Sequence, residues 1–240
     1  MRSNGRPTSG GLTRVRTDAL VVVLGLLALL AWDASGLDLA VIHAVGTAQG
    51  FALRDAWWTS RLLHDGGRLL GWVVLTALVI NIWRPWIQGP SRRERIVWVM
   101  ITLACLVLVP SIKRISSTSC PWDLQAFGGV AQYISHWQFG VADGGPGHCF
   151  PSGHAVAAFA FLSGWFALRP HAPRAARTWL LGVLVLGVAF GGAQLLRGAH
   201  YPSHTMWSAW ICWTACAVLS QVQAWLSCPQ AATVPPASRR

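Results

Sequence analysis

Residues 178–196 read TWLLGVLVLGVAFGGAQLL, nineteen positions without a charged side chain, bounded by Arg177 and Arg197. At about 1.5 Å of rise per residue, a helix of that length crosses most of the roughly 30 Å hydrocarbon core of a bilayer. The stretch is apolar all round rather than along one stripe, so it predicts a membrane span and not a surface helix. Five other stretches approach it in length and character: 19–37, 69–83, 96–112, 150–168 and 205–226. The first of these is interrupted by Asp33, which predicts a tilted end or a carboxylate reaching the interface. The expected fold class is all-α, a polytopic membrane protein built as a six-transmembrane-helix bundle.

The composition agrees. Of 240 residues, 53% are hydrophobic and only 11% charged, and a mean hydropathy of +0.44 is too high for an ordinary soluble domain. Fifteen tryptophans are present, and Trp32, Trp83, Trp86, Trp179 and Trp225 flank apolar runs, where an indole favours the boundary between acyl chains and water. The net charge of +11 does not imply nucleic acid, because the arginines lie between spans and not on a polar fold. No small-residue cleavage site follows the first apolar run, so the first span is expected to be retained.

Alternation of six spans puts Arg2, Arg6, Arg14, Arg16, Arg84, Arg92, Arg93, Arg95, Arg169, Arg174, Arg177, Arg239 and Arg240 on one side, 13 of the 19 basic residues. That side is the cytoplasm by the positive-inside rule. The expected organisation is a cytoplasmic tail over 1–17, one membrane domain over 18–228 and a second cytoplasmic tail over 229–240, in a bacterial inner membrane. Of the six basic residues left outside, Arg54, Arg61 and Arg68 have Asp55 and Asp65 nearby in sequence. Lys113, Arg114 and Arg197 do not.

Three short segments therefore meet at the outer face, within 113–154 and 194–204: Lys113 to Pro121, Pro151 to His154, and Arg197 to His204. Pro151 suits a helix start, after which the amides of Ser152, Gly153 and His154 would serve as anion donors. Lys113, the only lysine, and Arg197 supply charge for a phosphate. His154 and His200 titrate near neutrality, one able to attack phosphorus and the other to protonate the departing oxygen. His204, one turn beyond His200, is placed to fix its tautomer. No Asp or Glu follows Asp143, so a carboxylate-built magnesium or calcium site is not expected. No metal or other cofactor is predicted. A zinc site from His148, Cys149, His154, His200 and His204 has no standard spacing behind it. Asp123 and Asp143 read as loop charges, Asp123 with a part in ordering the loop. Cys105, Cys212, Cys216 and Cys228 read as small core residues.

These segments resemble the three signatures of the type 2 phosphatidic acid phosphatase (PAP2) superfamily: Lys, six residues, Arg-Pro; then Pro-Ser-Gly-His; then Ser-Arg, five residues, His, three residues, Asp. Here Lys113 and Pro121 match the first, with Cys120 in the arginine position. Pro151 to His154 match the second completely. His200 matches the nucleophilic histidine of the third, while Ala193 and Gln194 stand for Ser-Arg and His204 for the Asp. The resemblance implies an acid-phosphatase-like helical core, His200 as the phosphorylated nucleophile, His154 as the general acid and phosphate binding by Lys113, Ser152, Gly153 and a cation, for which Arg197 is the replacement expected here.

Cys120 and Cys149 adjoin the first and second signatures in a disulfide-permissive compartment, and a bond between them is expected. The implied partners are the bilayer and an amphipathic lipid phosphate or diphosphate, hydrolysed on the periplasmic face. Phosphoryl transfer between lipids, such as from a polyprenyl diphosphate to lipid A, uses the same intermediate, and a non-catalytic binder or carrier of anionic lipid uses the same cradle.

Overall fold

The computed structural model describes residues 9–227 except Ile87. The expectations placed on 1–8 and 228–240, among them Arg2, Arg6, Cys228, Arg239 and Arg240, lie outside the described residues. All regular structure among the described residues is helical: α1 (Ser9–Ser35), α2 (Leu37–Val45), a π-helical turn (Trp58–Asp65) running into α3 (Gly66–Asn81), α4 (Arg92–Ile115), α5 (Val156–Phe159), α6 (Ser163–Leu168), α7 (Pro173–Leu196) and α8 (Pro202–Leu226). Among the described residues, four helical stretches are long and apolar enough to cross a membrane: Gly11–Ser35, Trp58–Ile80, Arg92–Ile115 and Pro173–Leu196. Val156–Leu168 is apolar but shorter. α8 is 25 residues long, yet Ser203, His204, Ser208 and Gln221 dilute its apolar character.

Three boundaries differ from the hydropathy reading. α1 begins in the expected tail and continues past Asp33, whose carboxylate is buried among side chains. Its Oδ2 accepts from Trp137 Nε1 and Trp207 Nε1, each at 3.0 Å, and faces His136 Nε2 at 3.2 Å. Helical backbone reaches back to Trp58, well before the apolar run at 69. The helix after Pro151 starts only at Val156.

Local chemistry accounts for several ends. α4 opens on a capping box in which Ser91 N–H donates to Glu94 Oε2 (2.7 Å) and Glu94 N–H to Ser91 Oγ (3.3 Å). α7 closes on Gly198, whose φ of 71° is the left-handed conformation that glycine adopts without penalty. Pro202 then starts α8 after three residues. The first turn of α8 is held from outside: Asp38 Oδ1 on α2 accepts from Ser203 N–H (3.0 Å), and Asp38 Oδ2 accepts from Ser203 Oγ. A carboxylate there meets amides that have no intrahelical partner and the positive end of the helix dipole.

α4, α5, α6 and α8 enclose the main core, with Trp98, Cys105, Phe159, Leu162, Cys212 and Cys216 buried within it. α5 and α7 approach closely because Gly187 leaves the space into which the Phe159 ring packs. Large apolar side chains on α1 and α7, such as Leu24, Leu27, Val185 and Val188, remain exposed, as suits helices whose solvent is lipid. A second, smaller core of Ile42, Phe51, Leu124, Phe127, Ala131 and Tyr201 roofs one end of the bundle. On the opposite end, Arg169 clamps Asp18 with two hydrogen bonds, tying α1 to the end of α6.

Candidate active site

Beneath that roof lies a cavity of about 320 Å³ lined by residues of all three outer segments: Lys113, Cys120, Gly153, His154, Gln194 and His200. The loop that closes it is covalently fixed by a disulfide between Cys120 and Cys149. It is further ordered by Asp143, which is buried and not a solvated charge. Asp143 accepts from Ser119 N–H (2.6 Å), Ser119 Oγ (2.8 Å) and Gly145 N–H (3.0 Å). Asp123 accepts from Cys120 N–H at 3.3 Å.

His200 sits in the short extended link between α7 and α8. Its Nδ1 lies 3.4 Å from His204 Nδ1 and 3.5 Å from Cys149 Sγ, which leaves Nε2 as the ring nitrogen for the cavity. Burial holds the His200 imidazole well below its ordinary pKa, reinforced by the charges of Lys113, His204 and His154. A neutral imidazole is the nucleophilic form. On the facing wall, His154 is pushed down to about 4, first by burial and then by the charges of His64, Arg197 and Arg68, against the raising effect of the Leu63 carbonyl.

Several placements depart from expectation. Pro151 follows a cis peptide bond and does not begin a helix. Ser152 is fully buried and its N–H donates to the His204 carbonyl (3.0 Å), while its own carbonyl accepts from Ser208 Oγ (2.9 Å). Ser152 therefore joins the second segment to α8 and does not line the cavity. Gly153 does line it: a Cβ there would come within 3.4 Å of Lys113 Cδ and 3.8 Å of Nζ, space that a bound anion would otherwise use. Arg197 is absent from the cavity wall. Its Nε donates to the Arg54 carbonyl (2.9 Å), and its buried Nη1 has no hydrogen-bond partner.

The arginine position of the third segment is instead filled by Gln194 itself, buried in the cavity wall with Nε2 unpartnered. A buried donor without an acceptor is costly unless a ligand completes it. Arg68 and His64 also line the cavity, and neither was singled out from the sequence, because Asp55 and Asp65 seemed to neutralise that stretch. The signal that would have found them is a basic residue and a histidine four apart, just before an apolar run. Cys120 Sγ, Cys149 Sγ and a His200 nitrogen lie within 4.8 Å of one another. The two sulfurs are bonded to each other, so neither is the thiolate that zinc requires.

The cavity does not end at the phosphate-sized chamber. Arg68, Gly153 and Ala157 are shared with an apolar groove between α3, α4 and α5, walled by Trp72, Leu75, Leu106, Pro110, Val156 and Phe161. Cationic and amide donors thus stand beside a groove whose walls are mostly hydrocarbon.

Residues 93–228 match the family model described as the PAP2 superfamily. No curated protein and no solved structure matches the chain.

Proposed function

The chain belongs to the PAP2 superfamily, whose members are generally phosphatases, and from that premise we propose that it is a membrane phosphatase of lipid phosphates or diphosphates, acting at the periplasmic face of a bacterial inner membrane. The observation that carries the lipid reading is the continuity of the cationic cavity with the apolar groove through Arg68, Gly153 and Ala157. A phosphate seated among Lys113, Arg68, Gly153 and Gln194 leaves its alkyl chain along Leu75, Leu106 and Phe161. A donor set of cations and amides, with no carboxylate in the wall, suits an anion rather than a hard divalent ion.

In this reading His200 Nε2 attacks phosphorus while His204 keeps the proton arrangement at Nδ1. The phosphoryl group passes to His200, and the P–O bond to the lipid breaks. Protonation of the departing oxygen falls to the facing imidazole of His154, on which His64 stacks. Water then takes the phosphoryl group and restores His200.

Six crossings accompany the proposal, the four long apolar stretches being joined by Val156–Leu168 and α8. Both termini are then cytoplasmic.

The test is release of phosphate from a panel of lipid phosphates by purified protein in detergent with a chelator present. The expected result is release by the wild type that His200→Ala abolishes. Binding of the same lipids without release by the wild type would overturn catalysis in favour of a lipid binder, and label moving onto an added lipid acceptor would replace hydrolysis by transfer.

A further inference from the structure

Of the lysine and two arginines in the PAP2 signatures, this chain keeps only Lys113. Cys120 stands in the first arginine position and is held in the disulfide, and Gln194 stands in the second. A single ammonium leaves a phosphate monoester, which carries close to two negative charges at neutral pH, half compensated. Arg197 does not make up the deficit, since its Nε donates to the Arg54 carbonyl and it is absent from the chamber wall. The guanidinium that does line the chamber belongs to Arg68 on α3. That residue lies outside 93–228, the part of the chain that matches the family model.

The packing of α3 explains how it gets there. Gly67 and Gly71 stand four residues apart, and a Cβ at Gly67 would come within 2.9 Å of the Phe190 ring on α7, one at Gly71 within 3.3 Å of the Ala157 carbonyl on α5. Two small residues at that spacing let helices approach closely, and the approach carries Arg68, the neighbour of Gly67, to the chamber. Its side chain stays exposed. The adjacent Asp65 carboxylate is engaged by His64 Nδ1 at 3.0 Å, and Arg68 has no ion pair among the described residues. Across the chamber, Gln194 is only 3% exposed and its Nε2 has no partner. Arg68 also lines the apolar groove, together with Trp72 one turn further along α3. The free charge therefore stands where a phosphate head would meet its chain.

We propose that Arg68 performs the phosphate-binding role of the guanidinium missing from the third signature, while Gln194 Nε2 gives the same phosphoryl group one neutral hydrogen bond. The inference deepens the phosphatase reading and rests on it. The fork of a guanidinium matches two oxygens of a phosphoryl group. Its charge counts most as these oxygens pass through the transition state of transfer to His200. The cation has moved from α7 to α3, and the amide marks the position it left.

The experiment measures phosphate release from a long-chain alkyl phosphate in uncharged detergent, where no anionic lipid competes for arginines. Arg68→Gln is expected to lower kcat/KM by about 10- to 100-fold, the worth of a hydrogen bond to a charged group. Arg61→Gln, the same loss of charge on the exposed π-helical turn, stays within a few-fold of wild type. Two routes return the cation: guanidinium ion added to Arg68→Ala, and Gln194→Arg introduced into Arg68→Gln. Recovery of about tenfold by either route is the expected result. Arg68→Gln within a few-fold of wild type, an equal loss in Arg61→Gln, or a loss that neither route repairs would overturn the assignment, the last by making Arg68 structural. Wild-type protein that releases no phosphate would instead overturn the phosphatase reading beneath it, before any variant is compared.

Discussion

Protonating His154 means charging an imidazole packed between Phe190 and His64. Its folded pKa of about 4 lies below the ordinary value of 6.5 that the unfolded chain has. Between those values the unfolded chain binds the additional proton, so the stability linked to this group is complete above about pH 6.5 and declines as pH falls toward 4. The shift corresponds to about 3 kcal/mol. Thermal unfolding in detergent at pH 7 and pH 4.5 should show a steeper acid loss in the wild type than in His154→Asn; equal pH dependence in the two would refute the assignment. At this scale the sequence was partly legible. The histidines of the second and third signatures announce themselves by spacing. Gln194 and Arg68 do not, because a buried amide without a partner and a cation brought in from another helix are facts of packing. Ser152 misleads for the converse reason: its neighbours in sequence suggest an anion nest, and only the approach of α8 shows its amide donating to the His204 carbonyl.

At the scale of elements, the long loop between α4 and α5 depends on its crosslink. The disulfide closes a separation of 29 residues, for which restriction of the unfolded chain stabilises by about 2 to 4 kcal/mol. Both half-cystines border the site: Cys120 lines the cavity and Cys149 Sγ touches His200. Paired replacement by serine, or treatment with reductant, should therefore lower the melting temperature and the turnover together. Full activity at a lowered melting temperature would show that the bond secures the loop without positioning His200. Hydropathy found the middles of the helices and misjudged their ends. The segment from Trp58 to Arg68 carries Arg61, His64, Asp65 and Arg68, which end an apolar window but do not end a helix. Pro151 is a plausible helix opener on its own, yet the chain turns through a cis bond and delays the helix to Val156.

For the molecule as a whole, the six crossings proposed above put both ends of the chain on one side. A fluorescent reporter that matures only in the cytoplasm should light up when fused to either terminus, and a signal from only one terminus would require an odd number of crossings. Composition made the helical character and the long apolar stretches legible from the outset, since it is a sum over the chain. The roof over the site was not legible, since it joins residues far apart in sequence. Asp33 illustrates this. Its indole partners are Trp137, 104 residues later, and Trp207, 174 residues later. A chain made from its N-terminus inserts α1 long before either indole exists. Throughout most of synthesis the C-terminal end of the first helix must keep its carboxylate wet. The candidate site is consequently among the last parts to be assembled, and a nascent chain stalled before α8 holds its first helices without the cavity they are to frame.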